Sequence, residues 1–185
     1  QINPHLLYNT LDSVLWAIQN DNMENATELI ASLSGFFRLA LSRGVERITL
    51  ERELQLIETY VNIQRLARNQ NVTLIKTIPE ELLDHSIIKL TLQPLVENAY
   101  LHGFAGYRDD GTLTIRAVHD DKTLILTVED NGIGMLNEEV EQINKNLKTN
   151  SLPQKTHSVG IYNVNRRIMH EYGNEYGVTI QSSVS

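Results

Sequence analysis

The sequence predicts an α+β protein, helical in its first third and an α/β sandwich with a mixed sheet after it. Three observations carry this. Apolar residues recur at helical spacing as far as about Arg68. The texture changes at Asn69-Gln70-Asn71, and Val72 to Ile78 is rich in β-branched residues, as strands are. Two later segments alternate apolar and polar residues with period two. The boundary divides the chain into 1–68 and 69–185. No repeat or low-complexity segment interrupts it.

The elements follow in order. Leu7, Leu11, Val14, Leu15 and Ile18 form one helical stripe, while His5, Asn9, Asp12 and Trp16 share another face. Asn20-Asp21-Asn22 is a turn signal. Ala26, Leu29, Ile30, Leu33, Phe37 and Ala40 make a second stripe, which Gly44 ends. Thr49 is a good N-cap for a third helix to about Arg68, with Glu51 and Glu53 near its positive end. Leu90 to Gly103 reads as a buried helix with Pro94 in its first turn. Leu113, Ile115 and Ala117, then Leu124, Leu126 and Val128, predict a hairpin turning at His119–Lys122. Glu138–Leu147 reads as a helix and Thr149–Ser158 as a mobile loop. Gly160–Tyr172 reads as a helix, and a strand is expected near Val178–Ile180. The abrupt ends suggest a piece of a longer protein.

Composition narrows the function. With 185 residues, 41% hydrophobic and 21% charged, the chain can bury a real core. A net charge of −7 argues against a nucleic-acid partner, which requires clustered Lys and Arg. No apolar run is long enough to span a bilayer. The absence of cysteine removes disulfides and Cys-based zinc sites, and suits a reducing cytoplasm.

Three separated segments look chemical. Asp130-Asn131-Gly132-Ile133-Gly134 follows a strand. Its carboxylate suits an exocyclic amine such as that of adenine, and its glycines permit close ligand approach. Alone, Asp-Asn-Gly is also a common turn. In Glu97-Asn98-Ala99-Tyr100-Leu101-His102-Gly103, the Asn98 amide oxygen is a suitable hard ligand for Mg²⁺, although a helical Asn is more often a structural hydrogen bonder. Glu97 reads equally as a base or a solvated charge. His102 reads as a phosphate contact or a satisfied half-buried histidine. Gly160, opening a helix, offers backbone donors to phosphate.

Together, Asn98, Asp130-x-Gly132-x-Gly134 and Gly160 resemble the N box and glycine boxes of the GHKL ATPase superfamily, which includes histidine kinases, gyrase B, a heat-shock chaperone and MutL. The resemblance implies a Bergerat-type α/β sandwich over 69–185. It implies Asn98 on Mg²⁺, Asp130 on the adenine of ATP, and a lid from about Met135 to Val159. His102 and Gly103 end the same N box. Ile161, Asn163 and Arg167 fit the pattern that follows the lid in one kinase branch.

The N-terminus selects that branch. Gln1-Ile2-Asn3-Pro4-His5-Leu6-Leu7-Tyr8-Asn9-Thr10-Leu11 resembles the phosphoacceptor box of LytS/YesM-type sensor histidine kinases, with Leu6 replacing the usual Phe. Leu92-Gln93-Pro94-Leu95-Val96-Glu97-Asn98-Ala99 extends the likeness, which covers essentially the whole chain. It implies autophosphorylation of His5 from Mg-ATP and transfer to a response-regulator aspartate. It also implies a homodimer built through 1–68 and a parent sensor in a bacterial inner membrane, this chain being its cytoplasmic portion. Neutral imidazole suits the nucleophile's role. Asn9, one turn beyond His5, is a candidate for orienting water in dephosphorylating the regulator.

The pattern departs in places. The second glycine box is reduced to Ser158-Val159-Gly160, and the final glycine-threonine box is missing, so the ATP-binding region is expected to be truncated at its C-terminus. Pro94 stands four residues before Asn98, where the gyrase-type relatives carry a catalytic Glu, which opposes a free ATPase. The remaining alternative is an ATP-binding signalling module that acts by conformation and leaves His5 unmodified.

Overall fold

A computed structural model describes residues 4–41, 46–68, 71–104, 111–120, 122–151 and 159–184. Helix α1 (Pro4–Gln19) packs on α2 (Met23–Ala40). The turn between them puts Asp21 at φ 55°, and the Asn22 side chain caps α2 by accepting the Asn25 N–H at 3.1 Å. The buried face of α1 is Leu6, Thr10, Val14 and Ala17. Of the expected stripe only Val14 is buried, and Leu11, Leu15 and Ile18 are 43, 57 and 44% exposed. Two details permit this rotation. Thr10 satisfies its hydroxyl on the Leu6 carbonyl at 2.7 Å, so it can be buried. Ala17 is small enough to sit in the cluster of Val14, Ala26 and Leu29. On α2, Phe36 rather than Phe37 takes the deep position and Ile30 is exposed.

Helix α3 (Leu50–Arg68) begins as expected, with the Arg52 N–H on Thr49 Oγ1 at 3.3 Å. Its first amides also reach the carbonyls of His85 and Leu83, both at 2.9 Å. Those bonds accompany a small antiparallel pair, β1 (Arg47–Thr49) with β3 (Ser86–Ile88), which three-residue strands are too short to announce in sequence. A 3-10 turn covers Glu80–Leu82.

The main sheet has order β2-β4-β5, from Val72–Thr77, Gly111–His119 and Leu124–Asp130. β2 and β4 are parallel, with Leu74 opposite Leu113. β4 and β5 are antiparallel, with Ile115 opposite Val128. The sheet is mixed, as expected, and its alternating apolar face meets α3 and α4 (Gln93–Asn98). The buried helix starts at Gln93 rather than Leu90, because Leu90 has φ 59°, outside the helical region. Pro94 lies in its first turn. A π-helical turn, Ala99–Gly103, continues it. α5 (Asn137–Thr149) and α6 (Val159–Tyr172) complete the helices.

The expected strand at Val178–Ile180 does not form. This segment hydrogen-bonds to side chains instead: Asn165 Oδ1 accepts the Val178 N–H at 2.8 Å, and Asn144 both donates to the Ile180 carbonyl and accepts its N–H. Gly44 and the loop 152–158 lie outside the described residues. No described helix is long and apolar enough to cross a membrane.

One buried cluster runs from Leu6 through α2, α3 and α4 to Leu113, Ile115 and Ala117. Ile57 is its middle, with no exposed surface. Truncating it leaves a cavity that close-packed neighbours fill only partly. Ile57→Ala is expected to lower stability by about 2–5 kcal/mol, read as a shifted urea midpoint with an unchanged slope.

Candidate functional site

His5 is exposed in the first turn of α1. Asn9 follows one turn later, and its amide nitrogen lies 3.1 Å from His5 Nε2 and 3.2 Å from Nδ1. The helix therefore brings the two expected residues together. Beside them is a shallow cleft between α1 and the end of α3, lined by Asn9, Asp12, Ser13, Gln64 and Arg68.

The second group assembles at the other end of the main core. β5 delivers Asp130 at its last position, and Asp130 Oδ1 accepts the Gly132 N–H at 2.9 Å. The loop then docks on the end of the π turn, where the Ile133 N–H reaches the Gly103 carbonyl at 2.9 Å. Both glycines are demanded by this approach. A Cβ on Gly103 would come to 2.5 Å from Asp130 Oδ1, and one on Gly132 would overlap the Gly103 carbonyl and come to 2.6 Å from its Cα. Gly134 has φ 68°, and its Cα lies against the backbone of Ser183. The adjacent Met135 N–H reaches Ser182 Oγ at 2.9 Å.

Asn98 ends α4 half-buried, directly before the π turn. π turns commonly mark functional positions in helices. His102 is exposed on that turn. Glu97 accepts from Gln93 Nε2 at 3.2 Å. It also faces Tyr60: burial first, then the Glu97 charge, holds the Tyr60 phenol well above its usual range. Gly160, opening α6, faces Pro94, whose Cβ would lie 3.3 Å from an added Cβ.

The other expected residues lie on α6. Ile161 is buried with Leu147 and Tyr162, which fastens α6 to α5. Asn163 is exposed. The Arg167 guanidinium donates to the backbone carbonyls of Lys89 and of Leu90, the latter at 3.3 Å. Within the expected lid, Met135–Val159, the expected helix spans Asn137–Thr149, and residues 152–158 lie outside the described residues.

Sequence reasoning missed Glu53. It sits in the first turn of α3, yet its carboxylate serves α4. Oε2 accepts the Leu90 N–H at 2.9 Å. Oε1 accepts those of Leu92 at 2.9 Å and Gln93 at 3.3 Å. Burial pushes its carboxyl up, and these amide bonds oppose the rise. The signal was present: helical spacing puts Glu53 on the face of Leu50, Leu54 and Ile57.

Comparisons with known proteins bear on this geometry. A histidine kinase family model matches residues 1–72. The model of the histidine kinase-, DNA gyrase B-, and HSP90-like ATPases matches residues 83–184. The chain is 32% identical over 180 residues to the sensor histidine kinase BtsS of Escherichia coli, covering 97% of this chain and 29% of that protein. It is 30% identical over 182 residues to the sensor histidine kinase YesM of Bacillus subtilis, covering 98% and 30%. The sensor protein LytS of Staphylococcus haemolyticus is 31% identical over 185 residues, covering 99% and 31%. The chain thus spans about three tenths of the length of these relatives. The solved structure of a bacterial phosphotransferase shares the fold, with a TM-score of 0.56 at 14% identity, over 97% of this chain and 84% of that one. The pairing of a His5–Asn9 helix with the Gly103–Asp130–Gly132 junction thus has a family: the chain belongs to the histidine kinase-, DNA gyrase B-, and HSP90-like ATPases, and the relatives it matches are sensor proteins of LytS/YesM type.

Proposed function

We propose that this chain is the catalytic core of a two-component sensor histidine kinase, which phosphorylates His5 from Mg-ATP and passes the phosphoryl group to a response-regulator aspartate. The observation that carries this is the exposed His5–Asn9 pair in the same chain as a glycine-dependent junction around Asp130.

The donor set suits the ligand. The exposed Asp130 carboxylate can accept from an exocyclic amine, and the half-buried Asn98 amide offers an oxygen to Mg²⁺. Gly160 and Ile161 open α6, whose first amides and dipole favour phosphate, with the exposed His102 and Asn163 as further polar contacts. Bound Mg-ATP would supply a phosphoryl group whose charge the metal neutralises. A ring nitrogen of His5 supplies the acceptor lone pair. Asn9, within hydrogen-bond reach of that ring, orients it and is the residue we assign to water positioning when the regulator is dephosphorylated. Pro94 stands on α4 four residues before Asn98 and offers no carboxylate to activate water, so transfer to His5 is favoured over steady hydrolysis.

The helices of the first third are assigned to a homodimer. Leu11, Leu15, Trp16 and Ile18 are exposed on α1 after α2 and α3 have packed. A second copy would cover them in a bundle. The division into a dimerisation and phosphotransfer region, 1–68, and an ATP-binding region, 69–185, follows this assignment. The parent protein would be a membrane sensor with this portion in the cytoplasm.

Incubated with labelled Mg-ATP, the chain is expected to yield acid-labile, base-stable phosphoprotein. Label should vanish in His5→Gln and in Asn98→Asp. ATP binding without label in the parent chain would select the conformational signalling module instead. Gly132→Ala, which drives a Cβ into the Gly103 carbonyl, should weaken Mg-ATP binding at least about tenfold while the helical content by circular dichroism is kept.

A further inference from the structure

The helix that carries Asn98 is short, and its start is held by a residue of another element. α4 spans only Gln93–Asn98, with the π turn beyond it. The first amides of any helix lack partners within it. Here Glu53, fully buried on α3, accepts the N–H groups of Leu92 and Gln93 and also that of Leu90. Leu90 has φ 59°, a conformation that bulky residues avoid unless their surroundings over-determine it. Its N–H is held by Glu53 from α3, and its carbonyl by Arg167 from α6. The turn before α4 is therefore gripped from both sides.

We propose that Glu53 is a positioning residue: by holding the first amides of α4 it sets where Asn98 presents its amide oxygen, and so how tightly Mg-ATP binds. This rests on the nucleotide reading above. Asn98 lies about 7.5 Å along the helix axis from Gln93. A change in the direction of so short a helix displaces its far end, where Asn98 stands. α3 also packs against α1 and α2, so the same carboxylate joins the His5 region to the Asn98 helix.

The test is a double-mutant cycle on binding, read by displacement of a fluorescent ATP analogue with and without Mg²⁺. Glu53→Gln replaces one acceptor oxygen by an NH2 group that faces a backbone N–H. It should weaken Mg-ATP binding by about ten- to a hundredfold, the range for losing a partner that orients a metal ligand. Metal-free ATP should be much less affected. Once Asn98 is Ala, adding Glu53→Gln should cost little more, because both changes act through one ligand. Glu53→Asp, which keeps the charge one methylene shorter, should recover part of the affinity and serves if Glu53→Gln does not fold. Additive effects in the cycle, or equal loss with and without Mg²⁺, would show a merely structural role and overturn the proposal. A folded Glu53→Gln protein with parental affinity would overturn it too, while leaving the kinase reading standing. No binding of Mg-ATP by the parent chain would remove the nucleotide reading and this inference with it.

Discussion

The buried carboxylate of Glu53 is the interaction on which the geometry of the site depends. Placing a carboxylate where no water reaches it is costly, and burial indeed pushes this one up. The cost is offset by the amide donors of Leu90, Leu92 and Gln93, which would otherwise be orphaned at the start of α4. Each side thus answers the other's need. From that point the chain is determined stepwise. α4 leads to Asn98, the π turn leads to Gly103, and the Gly103 carbonyl fixes Ile133 and with it the loop after Asp130. A continuous series of contacts thus runs from a helix residue of the first third to the loop after β5.

Much of this was legible in the residues because the determinants are local. The i, i+4 spacing of His5 and Asn9 places them on one face wherever a helix forms, and the helix does form. Period-two alternation in Leu113–Ala117 and Leu124–Val128 needs only one covered face to become a hairpin. What escaped was set by long-range choices. The α1 stripe was misjudged by about one residue: the helix buries Leu6, Thr10, Val14 and Ala17, the small Ala17 and the self-satisfied Thr10 taking inner positions while Leu11 and Leu15 stay exposed. Val178–Ile180 has the composition of a strand, yet two asparagines supply its hydrogen bonds. Glu53 was read as a dipole partner of its own helix, although a charged residue on an apolar face signals an unseen partner.

The helical first third and the sheet-containing remainder share one packed interior. Leu6, the neighbour of His5, is 4% exposed and belongs to the same cluster as Val96, Ala99 and Tyr100. The aromatic series Phe36, Tyr60, Tyr100 and Phe104 passes from α2 through α3 to the end of the π turn, with ring centroids 5.5 to 6.4 Å apart. Well-packed interiors transmit displacement because they cannot absorb it. Tyr100, two residues beyond Asn98, is thus packed through these rings against α2 and α3.

The last third of the chain is held by the same kind of buried polar contact. The helix expected at Glu138–Leu147 forms as Asn137–Thr149 and is seated on α6 through Leu147, Ile161 and Tyr162. Asn165 donates to the Leu147 carbonyl and accepts from Val178, so α5, α6 and the C-terminal segment are tied at one residue. Asn144 repeats the device at Ile180. These bonds are made by buried or half-buried amides, and a broken one leaves a polar group unsatisfied. Moving α5 away from α6 would therefore break the Asn165–Leu147 bond, and moving it away from the C-terminal segment would break both Asn144 bonds.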